Sequence, residues 1–295
     1  MPELPEVHTT VEGLKKVIIG KTIKDVWSDF HLNTAHGHRK NLKNKKYFEN
    51  FKKIAIGSKI KDVRRIGKNV LIDLNPSTSS RQANTIVVHM KMTGHLMASG
   101  YNTKDPFNGH IHFRLSFADG EEMVLSDTRK FASVCLAETK NLSGHEGLKD
   151  LGTDALTISF KEFEEKIKRK KNWPVKSALM DQTTLAGVGN IYSDEILWQT
   201  SVHPLSKPNK IPDKKLGEIF KEMKRILRFS IKKGGDSKSD YRNALGEKGG
   251  FQNFHRAYGR KGKRCEKSKC RGIIERMVVR GRSSHFCLTH QKIYS

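Results

Sequence analysis

The sequence predicts a multidomain α+β protein: an N-terminal helix with a β-sandwich, an all-helical second domain, and a C-terminal hairpin stapled by a metal. Three observations carry this. From Lys21 to about Ala137 the chain is a succession of short β-rich runs separated by turn signals, as in a sandwich. From Ser159 to Lys233 apolar residues recur at helical spacing. In residues 254–295, three of the four cysteines fall as Cys265-x4-Cys270-x16-Cys287-x2-His290. The boundaries read as 2–137, 138–235, a loop at 236–253, and 254–295.

The first element is a helix. Leu4, Val7, Val11, Leu14, Val17 and Ile18 make one apolar stripe, and Gly20 can end it. Its opening, Met1-Pro2-Glu3-Leu4-Pro5-Glu6, has two readings. In one, Pro and Glu simply start a helix at the positive end of its dipole. In the other, Met1 is removed and Pro2 carries a free secondary amine. An α-amino group has a pKa of ~7.7–8.0, so at pH 7.5 roughly a quarter is neutral and able to attack carbon. Glu3 beside it is a possible proton donor.

The strand runs are Ile23–Trp27, Ile60–Val63, Val70–Leu74, Ile86–Met90, His112–Phe117 and Met123–Leu125, with turns at Asn75-Pro76-Ser77 and Ala118-Asp119-Gly120. The basic stretch His36–Lys53 reads as a solvated loop or strand edge, with phosphate attraction as a second reading. The long loop 76–85 has no assigned role. Ser159-Phe160-Lys161-Glu162 is a capping-box pattern that opens a helix to about Lys171. The stretch from Pro174 to about Asp181 follows. Ala186-Gly187-Val188-Gly189 is a glycine turn before a helix from Asn190 to about Thr200. A helix N-terminus of this kind suits a phosphate. A long amphipathic helix ends at Lys233, closed by Gly234-Gly235. Residues 236–253 are polar and glycine-rich, a flexible loop by composition.

Lys+Arg is 56 against Asp+Glu 31, a net charge of +25 over 295 residues. That excess favours a polyanion partner: nucleic acid before an anionic membrane surface. No run of 18 apolar residues and no secretory leader is present, so an intracellular protein, cytoplasmic or nucleoid-associated, is the expectation. Two ligand pairs on two turns can close a tetrahedron around one structural Zn²⁺, from Cys265, Cys270, Cys287 and His290; His285 competes as fourth ligand. So short a segment cannot bury much core, and a metal staple answers that. Cys135 reads as a core thiol.

Several motifs, taken in order, resemble the bacterial formamidopyrimidine-DNA glycosylase family. They are Pro2-Glu3-Leu4-Pro5-Glu6-Val7, Arg64-Arg65-Ile66-Gly67-Lys68, His89-Met90-Lys91-Met92-Thr93-Gly94, Asp127-Thr128-Arg129-Lys130-Phe131, Leu179-Met180-Asp181-Gln182, Gly187-Val188-Gly189-Asn190-Ile191-Tyr192 and Gly281-Arg282-Ser283-Ser284-His285-Phe286-Cys287. The resemblance spans the chain. It implies a β-sandwich, a helix–two-turn–helix domain and a zinc β-hairpin, with damaged double-stranded DNA held between the halves by a monomer. It implies excision of oxidised purines followed by strand cleavage.

By matching position, Pro2 is the nucleophile on C1′, Glu3 the proton donor, and Lys68 a phosphate contact that assists elimination. Asn190 and Arg282 grip phosphates flanking the extruded nucleotide. Met92, Arg129 and Phe131 fill the gap left in the duplex, although core packing is the alternative for Met92 and Phe131. Leu4, Lys176 and the loop Gly235–Asn243, with Tyr241 assigned to the bound DNA, favour the purine-excising branch over the endonuclease VIII branch for oxidised pyrimidines. A non-catalytic DNA-binding protein on the same scaffold is the remaining alternative. The metal spacing departs from the family's four cysteines with two-residue spacers: the first spacer here is four residues and the last ligand is His.

Overall fold

In the computed structural model, residues 1–32, 41–76, 82–98, 104 and 106–295 are described. Of the sequence readings, residues 36–40 of the basic stretch, Ser77, and 77–81 of the long loop lie outside them. The chain divides into two compact units, Met1–Lys149 with Lys233–Gly250, and Asp150–Lys232 with Phe251–Ser295.

The first unit opens with α1, Leu4–Ile18. Glu3 caps it: its side chain accepts from the Glu6 amide, while Glu3 N donates to Glu6 Oε2 at 2.7 Å. The apolar stripe Leu4, Val7, Val11, Leu14 and Ile18 is buried. Five such side chains contribute roughly 10 kcal/mol of gross transfer free energy, an upper bound before chain entropy. The strands follow as β1 (Ile23–Ser28), β2 (Lys59–Ile66), β3 (Asn69–Asn75), β4 (Asn84–His89), β5 (His95–Ala98), β6 (Ile111–Phe117), β7 (Glu122–Ser126) and β8 (Ser133–Glu138). They form two antiparallel sheets, β1-β6-β7-β5 and β2-β3-β4-β8. Alternation aims Val70, Ile72 and Leu74 of β3 into one shared core with Leu115 and Phe117 of β6 and with α1.

One helix inside this unit departs from the sequence expectation. Residues Lys45–Ala55 form α2, where composition predicts a basic loop or strand edge. Asn44 caps it through Tyr47 N at 2.9 Å, and Phe48, Phe51 and Ala55 are buried. The lysines occupy its wet face and mask the helical spacing of the aromatics.

Residues 233–250 pack on α1. Tyr241 Oη donates to Glu6 O at 2.9 Å, Asp236 N donates to Glu6 Oε1 at 2.8 Å, and Ala244 joins the core. Composition predicts a flexible loop; tight turns built on Gly234 and Gly235, both at positive φ, return the chain to α1 instead.

The second unit holds β9 (Thr153–Asp154), α3 (Phe160–Arg169), α4 (Val175–Met180), β10 (Leu185–Ala186), α5 (Asn190–Gln199), α6 (Asp213–Lys232), β11 (Glu275–Val279) and β12 (Arg282–Phe286). Ser159 caps α3 by accepting from Glu162 N at 3.2 Å. Residues Ile191–Trp198 of α5 are buried on every side, including Asp194 and Glu195. A helix with no wet face sits at the centre of its unit. β11 and β12 are an antiparallel hairpin. Its tip, Arg280-Gly281, has positive φ at both residues, as a type I′ turn requires.

Candidate active site and metal centre

In the first unit Pro2 and Glu3 are buried at the start of α1. The capping box fixes the Glu3 backbone, and Glu6 ties it in turn to residues 236 and 241. Lys68, also buried, lies at the tip of the β2–β3 hairpin. Gly67 takes φ +57°, which a two-residue turn of II′ sign pattern needs at its first position. α1 packs against β2 and β3, the two strands that carry this tip. His89, paired with Asn69 across the β3–β4 ladder, feels the same charge. Burial, then the Lys91 and Lys68 ammonium groups, push His89 down to about 3. It is therefore neutral, and its Nδ1 accepts from Lys91 N at 2.9 Å.

Met92, Arg129 and Phe131 come together. Arg129 Nη1 lies 3.3 Å from Met92 Sδ, and its guanidinium sits 4.3 Å from the Phe131 ring centroid. Met92 is 42% and Phe131 46% exposed, so neither is core packing. Two turns carry them, residues 90–94 and 127–132. Gly94 is required in the first, because a Cβ there would lie 2.5 Å from Met90 O.

In the second unit Asn190 is the first residue of α5, with Gly189 as its cap. Its Oδ1 is buried and has no hydrogen-bond partner among the described residues. Gln182 shapes the preceding turn: its amide donates to Met180 O and Val188 O, and its oxygen accepts from Gly187 N. Arg282, exposed, begins β12 next to the hairpin tip. Arg280 at that tip stacks 3.8 Å from the Trp173 ring centroid.

Two residues assigned to DNA are internal instead. Lys176 is fully buried, paired with Asp194, and donates to Ser283 O at 2.9 Å. Tyr241 is buried on α1, and burial pushes its phenol well above the ordinary range. In this structure both hold the scaffold rather than face solvent.

The sequence reading assigns no role to Glu6, Asp127, Asp194 or Glu195. Asp194 accepts from Ser284 Oγ at 3.0 Å and from His285 N at 2.9 Å, and lies 3.0 Å from His285 Nδ1. Glu195 accepts from Arg256 N, Ala257 N and Tyr258 N. Their signal is two acids in a helix that has no polar face.

Cys265, Cys270, Cys287 and His290 offer ligand atoms all within 4.8 Å of one another. A tetrahedron with metal–sulfur bonds of ~2.3 Å and a metal–nitrogen bond of ~2.0 Å has edges of roughly 3.8 Å (S–S) and 3.5 Å (S–N). Cys270 and Cys287 sulfurs are 3.7 Å apart, and Cys265 Sγ is 3.4 Å from His290 Nδ1. His290 Nε2 lies 3.1 Å from Trp198 O, which leaves Nδ1 for a metal. His285 is held on Asp194 and does not join the cluster. The long first spacer is thus compatible with a four-ligand site.

No helix among the described residues is long and apolar enough to cross a membrane. The formamidopyrimidine-DNA glycosylase N-terminal domain matches residues 1–134, and the H2TH domain of the same glycosylase matches residues 151–242. A formamidopyrimidine-DNA glycosylase of Lactobacillus acidophilus is 36% identical over 100% of both chains. One of Streptococcus mutans is 33% identical over 99% of this chain and 100% of its own. Lactococcus lactis Fpg, solved in complex with abasic-site-containing DNA, superposes with a TM-score of 0.83 at 30% identity, covering 98% of this chain and 99% of that one. A point mutant of the Lactococcus lactis protein, bound to Fapy-dG-containing DNA, also gives 0.83, at 29% identity and 99% and 100% coverage. Full-length likeness of this kind, in a chain whose first helix opens on Pro2-Glu3, shows that the chain belongs to the formamidopyrimidine-DNA glycosylase family.

Proposed function

We propose that this chain is a bifunctional DNA glycosylase and abasic-site lyase of base excision repair, acting on oxidised purines in duplex DNA through an imine on Pro2. The observation that carries the reading is the built N-terminus. Pro2 precedes a buried Glu3 whose backbone and side chain are both fixed by the α1 capping box. A capping carboxylate works as well on a wet surface; this one is buried next to Pro2.

With Met1 removed, the Pro2 nitrogen attacks C1′ of the extruded nucleotide, and the glycosidic electron pair leaves with the base. Glu3 gives a proton to the ring oxygen as the sugar opens, which leaves C1′ doubly bonded to nitrogen. Loss of a C2′ proton then expels the 3′ phosphate, and a second elimination expels the 5′ phosphate. Lys68 supplies a buried cation for the departing phosphate charge. Asn190, at the N-terminus of α5, and Arg282, exposed beside the hairpin tip, are assigned to the flanking phosphates. Met92 and Phe131 occupy the vacated step, and Arg129 meets the orphaned base. Zinc is the ion we assign to the three sulfurs and one nitrogen, where it closes the hairpin. One chain carries every group the reaction needs, so a monomer suffices.

Borohydride reduction during reaction with 8-oxoguanine duplex tests this. A covalent adduct is expected on a peptide that begins at Pro2. A variant retaining Met1 should bind damaged duplex but form no adduct, because its Pro2 nitrogen is an amide. An adduct on Lys68 with Pro2 unmodified would overturn the mechanism.

A further inference from the structure

The wedge residues stand on two turns that are far apart in sequence. Each turn places a lysine in the left-handed region just before its wedge side chain: Lys91 at φ 55° and Lys130 at φ 51°. Non-glycine residues take that conformation rarely, and keep it where neighbours over-determine it.

We propose that Asp127 is the positioning residue of this wedge. Its one buried carboxylate ties the Met92 turn to the Phe131 turn and sets both before DNA arrives. Asp127 is fully buried. Its Oδ1 accepts from Thr93 Oγ1, beside Met92, and from Arg129 N at 3.2 Å. Its Oδ2 accepts from Ala132 N at 2.7 Å, beside Phe131, and its carbonyl accepts from Lys130 N at 3.1 Å. The far side of the second turn is tied outward. Lys130 Nζ lies 2.9 Å from Asp29 Oδ2, and Lys130 O accepts from Lys43 Nζ at 2.8 Å. A wedge held in place loses little ordering entropy on insertion, so more of its contact energy opposes restacking. Asp127 touches no substrate; it acts through Met92, Arg129 and Phe131. The inference rests on reading those three as the void-filling group.

Asp127→Asn is the informative change, because it keeps the shape and removes an acceptor. Whichever oxygen becomes NH₂, it meets a donor: Ala132 N–H on one side, Arg129 N–H on the other. The expected result is a fall of about 10–100-fold in single-turnover excision of 8-oxoguanine, as for loss of one hydrogen bond to a charged group. Cleavage of a preformed abasic site, where the stack is already broken, should stay within about threefold. That activity also reports that the variant folds. In a Phe131→Ala background, Asp127→Asn should cost less than about twofold more, since both act on one device. Thr93→Val, which removes one of the ties, should shift the same ratio in the same direction by less. Equal loss on both substrates with Asp127→Asn, or full additivity with Phe131→Ala, overturns the proposal. If Phe131→Ala is selective and Asp127→Asn is not, only the positioning role falls. If Phe131→Ala lowers both reactions equally, the void-filling reading falls and takes the proposal with it.

Discussion

Replacing Lys176 with Met separates a scaffold role from a DNA contact. Its ammonium neutralises Asp194 inside the second unit and donates to Ser283 O. Asp194 is 1% exposed, and its other partners are Ser284 Oγ and the backbone and ring nitrogens of His285. Methionine fills the volume of the lysine stem but leaves the carboxylate buried without the lysine's counter-charge. Breaking a buried pair from one side costs about 3–5 kcal/mol. For a unit of this size that lowers its melting temperature by roughly 10–20 °C. Adding Asp194→Asn removes the orphan charge and keeps an acceptor for His285 N, so the double variant should lose less than about 2 kcal/mol.

Calorimetry and amide exchange in β12 measure both effects. Duplex affinity should fall in the single variant along with protection of β12, because Arg282 begins that strand. A lysine that simply touched DNA would lose affinity with no change in melting. A shift under about 3 °C for Lys176→Met, or a double variant as unstable as the single, would refute the assignment.

Two further outcomes follow from the same geometry. Cys287→Ala, or removal of metal by a chelator, should unfold the β11–β12 hairpin and abolish duplex binding while the sandwich still melts cooperatively; one zinc per chain is expected by elemental analysis, and its absence from active protein would remove the claim. His89 is held neutral down to about pH 3, so between pH 6.5 and about 3 the unfolded chain takes up a proton that the folded chain refuses. Wild-type protein should therefore lose stability relative to His89→Gln as pH falls through that window, and parallel melting profiles would contradict it.

The six strand runs were legible as short β-rich segments between turn signals, α1 and α6 from apolar helical spacing, and α3 and α5 from the capping box and glycine turn that open them. α2 was not, because Lys45, Lys46, Lys52 and Lys53 dominate its composition while its aromatics make the contacts. The cluster of Cys265, Cys270, Cys287 and His290 was legible from spacing, since two pairs on two turns leave few other uses. Asp127 and Glu6 escaped because each also accepts from a group distant in sequence, Thr93 Oγ1 and Asp236 N respectively, and no local pattern records that. The assignment of Lys176 and Tyr241 to DNA comes from the family resemblance by matching position. Burial, which sequence does not show for an isolated Lys or Tyr, turns both inward.

The C-terminal segment shows why the second unit needs buried charge. Residues 251–295 hold 12 Lys and Arg against 2 Asp and Glu. Its own apolar cluster is small: Trp198, Ala257, Cys265, Ile274 and Cys287, with Cys270 partly buried beside them. So cationic a hairpin repels itself and cannot be held by that core. The cluster of Cys265, Cys270, Cys287 and His290 closes one end. α5 supplies the rest through consecutive acids: Asp194 holds Ser284 and His285 of β12, and Glu195 holds the backbone at 256–258. Burial pushes the Glu195 carboxyl up, against the pull of those N–H donors. The helix that begins with Asn190 is thus the one that anchors the strand beginning with Arg282. Through α5, the two groups assigned to phosphate share one rigid support, so their spacing does not depend on the metal alone.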